Sequence, residues 1–439
     1  MKKRLQGMPA FGLIWSGQFL SFVGTGMTRF GLTIWAWQIT GRATELALVG
    51  FFSFAPMMLL SPLAGALVDR WNRKLTMMIS DLAAGIATIA ILILYLSGHL
   101  EIWHLYIASA FTGVFEAFQF PAYRASITTM IPKRHYARAT AMIQLAGYAS
   151  NILAPIGAGL LIAVIGIGGL MAIDIATFLF GIGTLLLVRI PQPVASPDGA
   201  ASRGNLWQES LFGFRYIFSR PSLIGLQTIL MFININTTFG LVLLAPMILA
   251  RSGSDSIVLG TVQSAFGIGG IVGGILFTIW GGPKKLIHGA LLGCTALLIG
   301  EIALGMARGL VTWTVAAFMM MLFSPMLNGC ISAIWQKKIP ADIQGKVFAV
   351  RRMLAEIGRP VSMLIAGPLA DRIMEPAMAA DGAFARIFSP IVGSGPGAGM
   401  ALILVFGGLI GAAVSVAGYL FRAVRDVEEI LPDQDVSIE

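Results

Sequence analysis

The sequence predicts an all-α integral membrane protein of twelve transmembrane helices, arranged as two pseudo-symmetric six-helix bundles. Three observations carry that expectation. Mean hydropathy is +0.82 over 439 residues, far above what a water-facing surface allows. The apolar runs extend past the roughly 20 residues that one crossing needs, and only closed helices or closed barrels satisfy their backbone in lipid. Barrel strands of about ten alternating residues are not the pattern seen. Finally, the Pro/Ser/Gly/Ala stretch PQPVASPDGAASRG at 191–204 divides the runs six and six.

Taken in order, the segments are 11–39, 45–68, 75–98, 103–131, 139–164 and 168–189, then 221–250, 256–281, 286–306, 309–339, 346–374 and 398–422. The first, behind Met1-Lys2-Lys3-Arg4, is expected to be a retained helix, because it is too long for a secretory signal and lacks a small-residue cleavage site. Placing the amino terminus inside puts twenty cations in inner gaps, among them Arg70, Arg73, Lys74, Lys284 and Lys285. Only Arg42, Arg251, Arg308, Arg372 and Arg386 then fall outside. This bias predicts a multi-pass protein of the cell inner (plasma) membrane with both termini cytoplasmic. The net charge of +9 is therefore topological and implies no nucleic acid.

The expected domains are 1–190, a first six-helix bundle; 191–220, a cytoplasmic linker; 221–425, a second bundle; and 426–439, an acidic cytoplasmic tail. Within the linker, NLWQESLFGFRYIFSR at 205–220 interleaves aromatic and charged residues and reads as a helix lying on the inner leaflet.

The two halves repeat one another. At offsets of 208 to 210, Phe30 maps to Phe239, Lys74 to Lys284, Pro132 to Pro340 and Gly159 to Gly367. Polar positions repeat too. Gln18, Thr25 and Arg29 share one face of segment one, and Gln227, Asn234 and Thr238 stand at the shifted positions of segment seven. In segment five the face holds Gln144, Tyr148 and Asn151; its counterpart in segment eleven holds Arg352, Glu356 and Arg359. Lipid cannot be what these faces meet. They face a wet cavity about which two halves rock, or they join helices by hydrogen bonds.

Charge is also gathered between segments two and three, where GALVDRWNRK (65–74) holds Gly65, Asp69, Arg70, Arg73 and Lys74. A carboxylate at a helix carboxyl end needs a cation nearby, and such a pair can latch one conformation and release in another. Asp81, a turn and a half into segment three, is expected to join that cation network. The stretch resembles the G-x-L-x-D-R-x-x-R-K loop signature of the major facilitator superfamily. LIWSGQFLS (13–21), QITG (38–41), FPAYRASITTMIP (120–132), IDIATF (173–178), GKVFAVRRML (345–354) and GPLADR (367–372) resemble the drug/proton antiporter branch that holds macrolide-efflux and enterobactin-export proteins. The resemblance implies the major facilitator fold and efflux of small amphipathic molecules, usually proton-coupled. The antiporter signature G-P-x-x-G-G is present only loosely, as APIGAG (154–159), and Ile279 stands where a second Asp69 would be.

Glu116 lies near the centre of segment four, with Gln119, Phe120 and Tyr123 on its face, and is expected to carry a proton together with Glu356. For Glu356, an ion pair with Arg352 or Arg359 is the alternative. Arg29 needs an acidic partner or an anionic cargo. Asp174 reads as a capping or packing residue, and Glu301 has no assigned role. The cavity set is then Gln18, Thr25, Arg29, Gln119, Tyr123, Gln144, Tyr148, Asn151, Gln227, Asn234, Thr238 and Arg359. Cys294 and Cys330 lie in apolar runs and the four histidines are scattered, so neither disulfides nor a metal site are expected, nor any cofactor. No G-x-x-x-x-G-K-[ST] and no catalytic set can be placed, so no enzyme is expected. The expected function is secondary active export of a drug, macrolide-like molecule or secondary metabolite by a monomer in the bilayer. Siderophore export, lysophospholipid or nutrient transport, and a non-transporting receptor or scaffold are the alternatives.

Overall fold

The computed structural model describes residues 7–68, 71–191, 213–340 and 343–433. Among these no strand occurs. The helices divide into two compact units, Met1–Val194 with Ile248–Ser264, and Ala195–Met247 with Ala265–Glu439.

The first unit is built from α1 (Gly7–Thr40), α2 (Ala43–Val68), α3 (Arg73–Leu96), α4 (Ile102–Met130) and α5 (Tyr136–Leu187). Local chemistry sets the boundaries. Asn72 caps α3, its side chain accepting from Leu75 N at 3.2 Å. Before α4, the Glu101 N–H donates to His104 Nδ1 at 2.9 Å. The long α5 is two passes, because Gly166 at φ 65° and ψ −177° turns the chain where a side chain would be strained. Phe11, Ile14, Met77 and Tyr123 fill the core at the end where α1 begins; Trp35, Ile91, Leu105 and Met171 fill it at the other end.

The second unit contains α6 (Pro221–Ser252), α7 (Ser256–Trp280), α8 (Leu286–Met306), α9 (Leu310–Leu322), α10 (Ser324–Lys338), α11 (Gln344–Glu356) and α12 (Gly358–Leu369). A π turn at Ala370–Met374, α13 (Ala385–Val392), α14 (Ala398–Ala417), α15 (Arg422–Arg425) and α16 (Val427–Ile430) complete it. Prolines split two passes. Pro325 opens α10 just after α9 ends, and Pro360 has no N–H to give to Glu356 O where α11 gives way to α12. The α6–α7 corner, 248–264, groups with the first unit: Ser256 Oγ donates to Gly159 O at 3.1 Å and Ser264 Oγ to Ile152 O at 2.9 Å.

Eight helical stretches are long and apolar enough to cross a membrane. One of them, α5, holds two crossings. With α1, α4 and the α11–α12 pair the protein has the twelve passes that the sequence predicts. Those three additions miss the hydropathy pattern for a reason: they carry Gln18 and Arg29, Glu116 and Gln119, and Glu356 and Arg359. Exposed Val164, Ile279 and Leu420 show the opposite character, an apolar exterior suited to lipid.

Of the linker and surface helix expected over 191–220, residues 192–212 lie outside the described residues, and 213–218 are helical. The acidic tail is partly folded. Lys338, only 3% exposed, donates to the carbonyls of Glu428 and Leu431 and pairs with Asp433 at 2.6 Å. Glu428 Oε2 accepts from Ile287 N at 2.9 Å, placing a carboxylate at the positive end of α8, and Lys285 pairs with Glu429 at 2.8 Å. Residues 434–439 lie outside the described residues.

The hydrogen bond from Lys338 holds the Asp433 carboxyl below the usual range, and the one to Glu429 holds Lys285 above its usual value. A lowered carboxyl favours the docked form above its unfolded value and loses that contribution as pH falls through the native one. A raised lysine contributes below its unfolded value and loses it as pH rises through the native one. The clasp is therefore firm between about pH 4 and about pH 10. Limited trypsin digestion at Arg422 and Arg425 measures it: Lys338→Met at pH 7 raises the cleavage rate about tenfold.

Candidate functional site

The polar face of α1 ends on three carboxyls from three different helices. Gln18, 1% exposed, donates through Nε2 to Asp81 Oδ2 of α3 at 2.7 Å. Thr25 Oγ1 donates to Asp174 Oδ1 of α5 at 3.0 Å, and Thr88 Oγ1 of α3 donates to the other oxygen at 3.0 Å. Arg29 Nη2 pairs with Glu116 Oε1 of α4 at 3.0 Å. Gln119 closes the first of these contacts into a ring, its amide donating to Gln18 Oε1 at 3.1 Å and to Asp81 Oδ1. Helix spacing explains the layout: positions 18, 25 and 29 share a face, and 116 and 119 stand one turn apart.

These contacts differ in access. Gln18 and Asp81 are buried and Gln119 partly so, whereas the side chains of Arg29 and Glu116 are 63% and 36% exposed. Gln144, Tyr148 and Asn151 are exposed along the first leg of α5. Tyr123 is not: at 1% exposed it stacks against Phe11 with ring centroids 6.5 Å apart, inside the core.

In the second unit the corresponding face of α6 binds backbone. Gln227 Nε2 donates to Arg351 O at 3.1 Å and Asn234 Nδ2 to Ala355 O at 3.0 Å, next to the α11–α12 break, where a helix loses regular bonds. Thr238 Oγ1 donates to Asn234 O at 2.6 Å. Gln227 and Thr238 are buried. Glu356 pairs with Arg359 at 2.8 Å, one turn along the chain, and Arg352 is exposed. Two partners have no counterpart in the sequence-derived set: Asn236 of α6 donates to Glu301 Oε2 of α8 at 3.0 Å, and Glu301 is 1% exposed. The signal available was Glu301 itself, an acid in an apolar run that needs a donor on a neighbouring helix.

The loop latch is described in part. Asp69 and Arg70 lie outside the described residues, as do the surroundings of Gly65. Arg73 Nη1 donates to Ala125 O of α4 at 2.6 Å, and Lys74 Nζ to Val188 O at 2.7 Å, a cation on the final carbonyls of α5. Asp81 belongs with Gln18 and Gln119 instead of with these cations. Cys294 and Cys330 are free and buried.

Comparison with known proteins agrees with this architecture. The profile of the Major Facilitator Superfamily matches residues 14–363. Macrolide efflux protein A of Streptococcus pyogenes is 26% identical over 373 residues, 83% of this chain and 90% of that protein. Enterobactin exporter EntS of Shigella flexneri is 23% identical over 339 residues, 75% of each. Among solved structures, an inward-facing, unoccupied bacterial homologue of the human lysosomal transporter Spinster superposes with a TM-score of 0.67 at 16% identity, covering 97% of this chain and 99% of that one. That likeness is one of fold.

The contrast between largely buried ring and open pair is measurable. Gln119→Leu withdraws a donor from a buried carboxyl and lowers stability by about 1–3 kcal/mol. Glu116→Gln, at an exposed ion pair, changes it by less than about 1 kcal/mol. Thermal unfolding of the detergent-purified variants reads both, and equal shifts would erase the distinction.

Proposed function

The chain belongs to the Major Facilitator Superfamily, and from that premise we propose that it exports small amphipathic molecules by alternating access, in exchange for protons. It is a multi-pass membrane transporter of small molecules, not an enzyme. The proposed setting is a bacterial inner membrane with both termini cytoplasmic, and the proposed working unit is the monomer.

The observation that carries the reading is the accessible Arg29–Glu116 pair on helices whose amides, Gln18 and Gln119, are satisfied internally. A charge with this exposure in mid-helix belongs in a water-filled path and not against acyl chains. Arginine only donates. A cargo that draws Arg29 away leaves Glu116 to take up a proton, and loss of that proton restores the pair. Glu356 and Arg359 offer the second unit the same chemistry. Exposed Phe120 and Tyr148 supply apolar surface for the rest of the molecule. The relatives support the cargo class, one being a macrolide efflux protein and one an enterobactin exporter. Arg29 favours the second cargo where the molecule is anionic, so the siderophore reading is tested beside the macrolide one.

Inside-out vesicles loaded with acid decide between them. Labelled macrolide is expected to accumulate in proportion to the proton gradient, and a protonophore to abolish it. Each proton lost from the coupling lowers accumulation about tenfold per pH unit of gradient, and Glu116→Gln is expected to show that loss. Enterobactin accumulating in place of macrolide would reassign the cargo, gradient-independent uptake would remove proton antiport, and wild-type accumulation in Glu116→Gln would remove Glu116 as the carrier.

A further inference from the structure

The carboxyls inside the helices differ in the chemistry of their partners. Glu116 and Glu356 each meet an arginine. Asp81 and Glu301 have no ion-pair partner among the described residues, and each sits on the third helix of its half. Both are held by a side-chain amide from the first helix of that half: Gln18 of α1 for Asp81 and Asn236 of α6 for Glu301. The sequence reading assigned the first to a loop network and gave the second no role.

An arginine favours the ionised carboxylate, because it has donors alone and offers the O–H of the acid no acceptor. An amide fits both forms. Its NH2 donates to a carboxylate, and after a half-turn about its last bond its oxygen accepts from the O–H of the acid. A carboxyl held by amides can therefore also place its O–H on an acceptor once protonated, and one held by arginine alone cannot.

The Glu301 seat is bounded by glycines at which a side chain would meet the carboxyl or its amide. A Cβ on Gly240 would stand 2.4 Å from Glu301 Oε1, and one on Gly407 2.6 Å from Asn236 Oδ1. One on Gly411 would stand 3.1 Å from Asn236 Nδ2. Glycine at these three positions leaves the carboxyl and the amide unobstructed. Glu301 Oε1 is buried and accepts no hydrogen bond from the described residues, so it is the free position for a proton. At Asp81, Gln119 bridges Gln18 Oε1 and Asp81 Oδ1, so both oxygens are amide-held.

Other charged or titratable groups on the helices around Asp81 are Arg73, Lys74 and Tyr95 on α3, His104, Tyr106, Glu116, Tyr123 and Arg124 on α4, Arg29 on α1, and Tyr136, Arg138, Tyr148 and Asp174 on α5. Of these, Arg29 is engaged by Glu116, and Arg73 by the Ala125 carbonyl. Around Glu301 they stand at helix ends: His288 on α8 itself, Arg251 on α6, Lys337 and Lys338 on α10, and Arg308 beyond α8. Asp174 is a mixed case, held by two threonine hydroxyls with Arg29 one turn along α1 from Thr25.

We propose that Asp81 and Glu301 are proton-exchange sites, one in each half, where the carboxyl takes up and releases H+ while its amide partner turns. Only an O–H bond forms or breaks, and the proton passes to or from water in a conformation that opens the seat, since both carboxyls are buried in this one. The role in transport rests on the proton-antiport reading above; the exchange itself does not.

The test separates the two. Infrared spectra of the full-length protein in lipid vesicles, titrated with pH, report the C=O stretch of protonated carboxyl groups. A pH-dependent component is expected that is partly lost in Asp81→Asn and partly in Glu301→Gln, and that survives in Glu116→Gln. Gln18→Leu and Asn236→Leu keep each carboxyl and remove its amide, and are expected to move the midpoint of the matching component by about one pH unit. These two variants serve if a carboxyl variant fails to fold. A titrating component absent from wild type, or unaltered in all four variants, overturns the proposal. In vesicles, Asp81→Asn and Glu301→Gln are expected to lose gradient-driven accumulation relative to counterflow by about tenfold per pH unit. If wild-type flux ignores the gradient, proton antiport falls, while the spectra still decide whether the two carboxyls exchange protons.

Discussion

A carboxyl group inside an apolar helix bundle must be met by a donor, since water is not there to meet it. Much of this structure follows from how that need is satisfied. In the first unit one helix gives three acids a donor each: Gln18, Thr25 and Arg29 of α1 reach acids on α3, α5 and α4 in turn, with Gln119 and Thr88 adding a second donor to Asp81 and Asp174. Lipid offers no hydrophobic drive to bring one apolar helix against another, so such contacts, with close packing, choose which helices touch. In the second unit the first helix again supplies the donors, but most go to backbone. Gln227 and Asn234 bond carbonyls of α11, and Asn236 bonds Glu301.

Irregular backbone appears in the same places. The α11–α12 break lies beside the Asn234 contact, so the side chain takes over part of what the helix gives up. Passes that look poor as membrane spans, α1, α4 and α11–α12, carry the two arginine–glutamate pairs, whereas Asp81, Asp174 and Glu301 stand singly on spans that stay apolar.

Fold class was readable from composition and periodicity, because burial in lipid imposes a long and repetitive signal. The halves, the twelve passes and the polar face of α1 were readable for the same reason. Partners were not. Arg29 and Glu116 are 87 positions apart, and nothing local announces that they meet. Asp81 was assigned to the nearby cations in sequence, yet its side chain reaches Gln18 and Gln119 on other helices. Tyr123 shares a helical face with polar residues and still turns into the core, because Phe11 offers it a stacking surface. Glu301 lacked a role until Asn236 and three glycines from α6 and α14 came together around it.

The docking of residues 422–433 has a consequence for biosynthesis. Lys338 is enclosed by carbonyls and a carboxylate that are made some ninety residues later. The start of α8 waits even longer for Glu428. During translation the ammonium group therefore lacks its mates until the final stretch has left the ribosome. Chains halted before that point leave the Lys338 cation without its carbonyl and carboxylate partners.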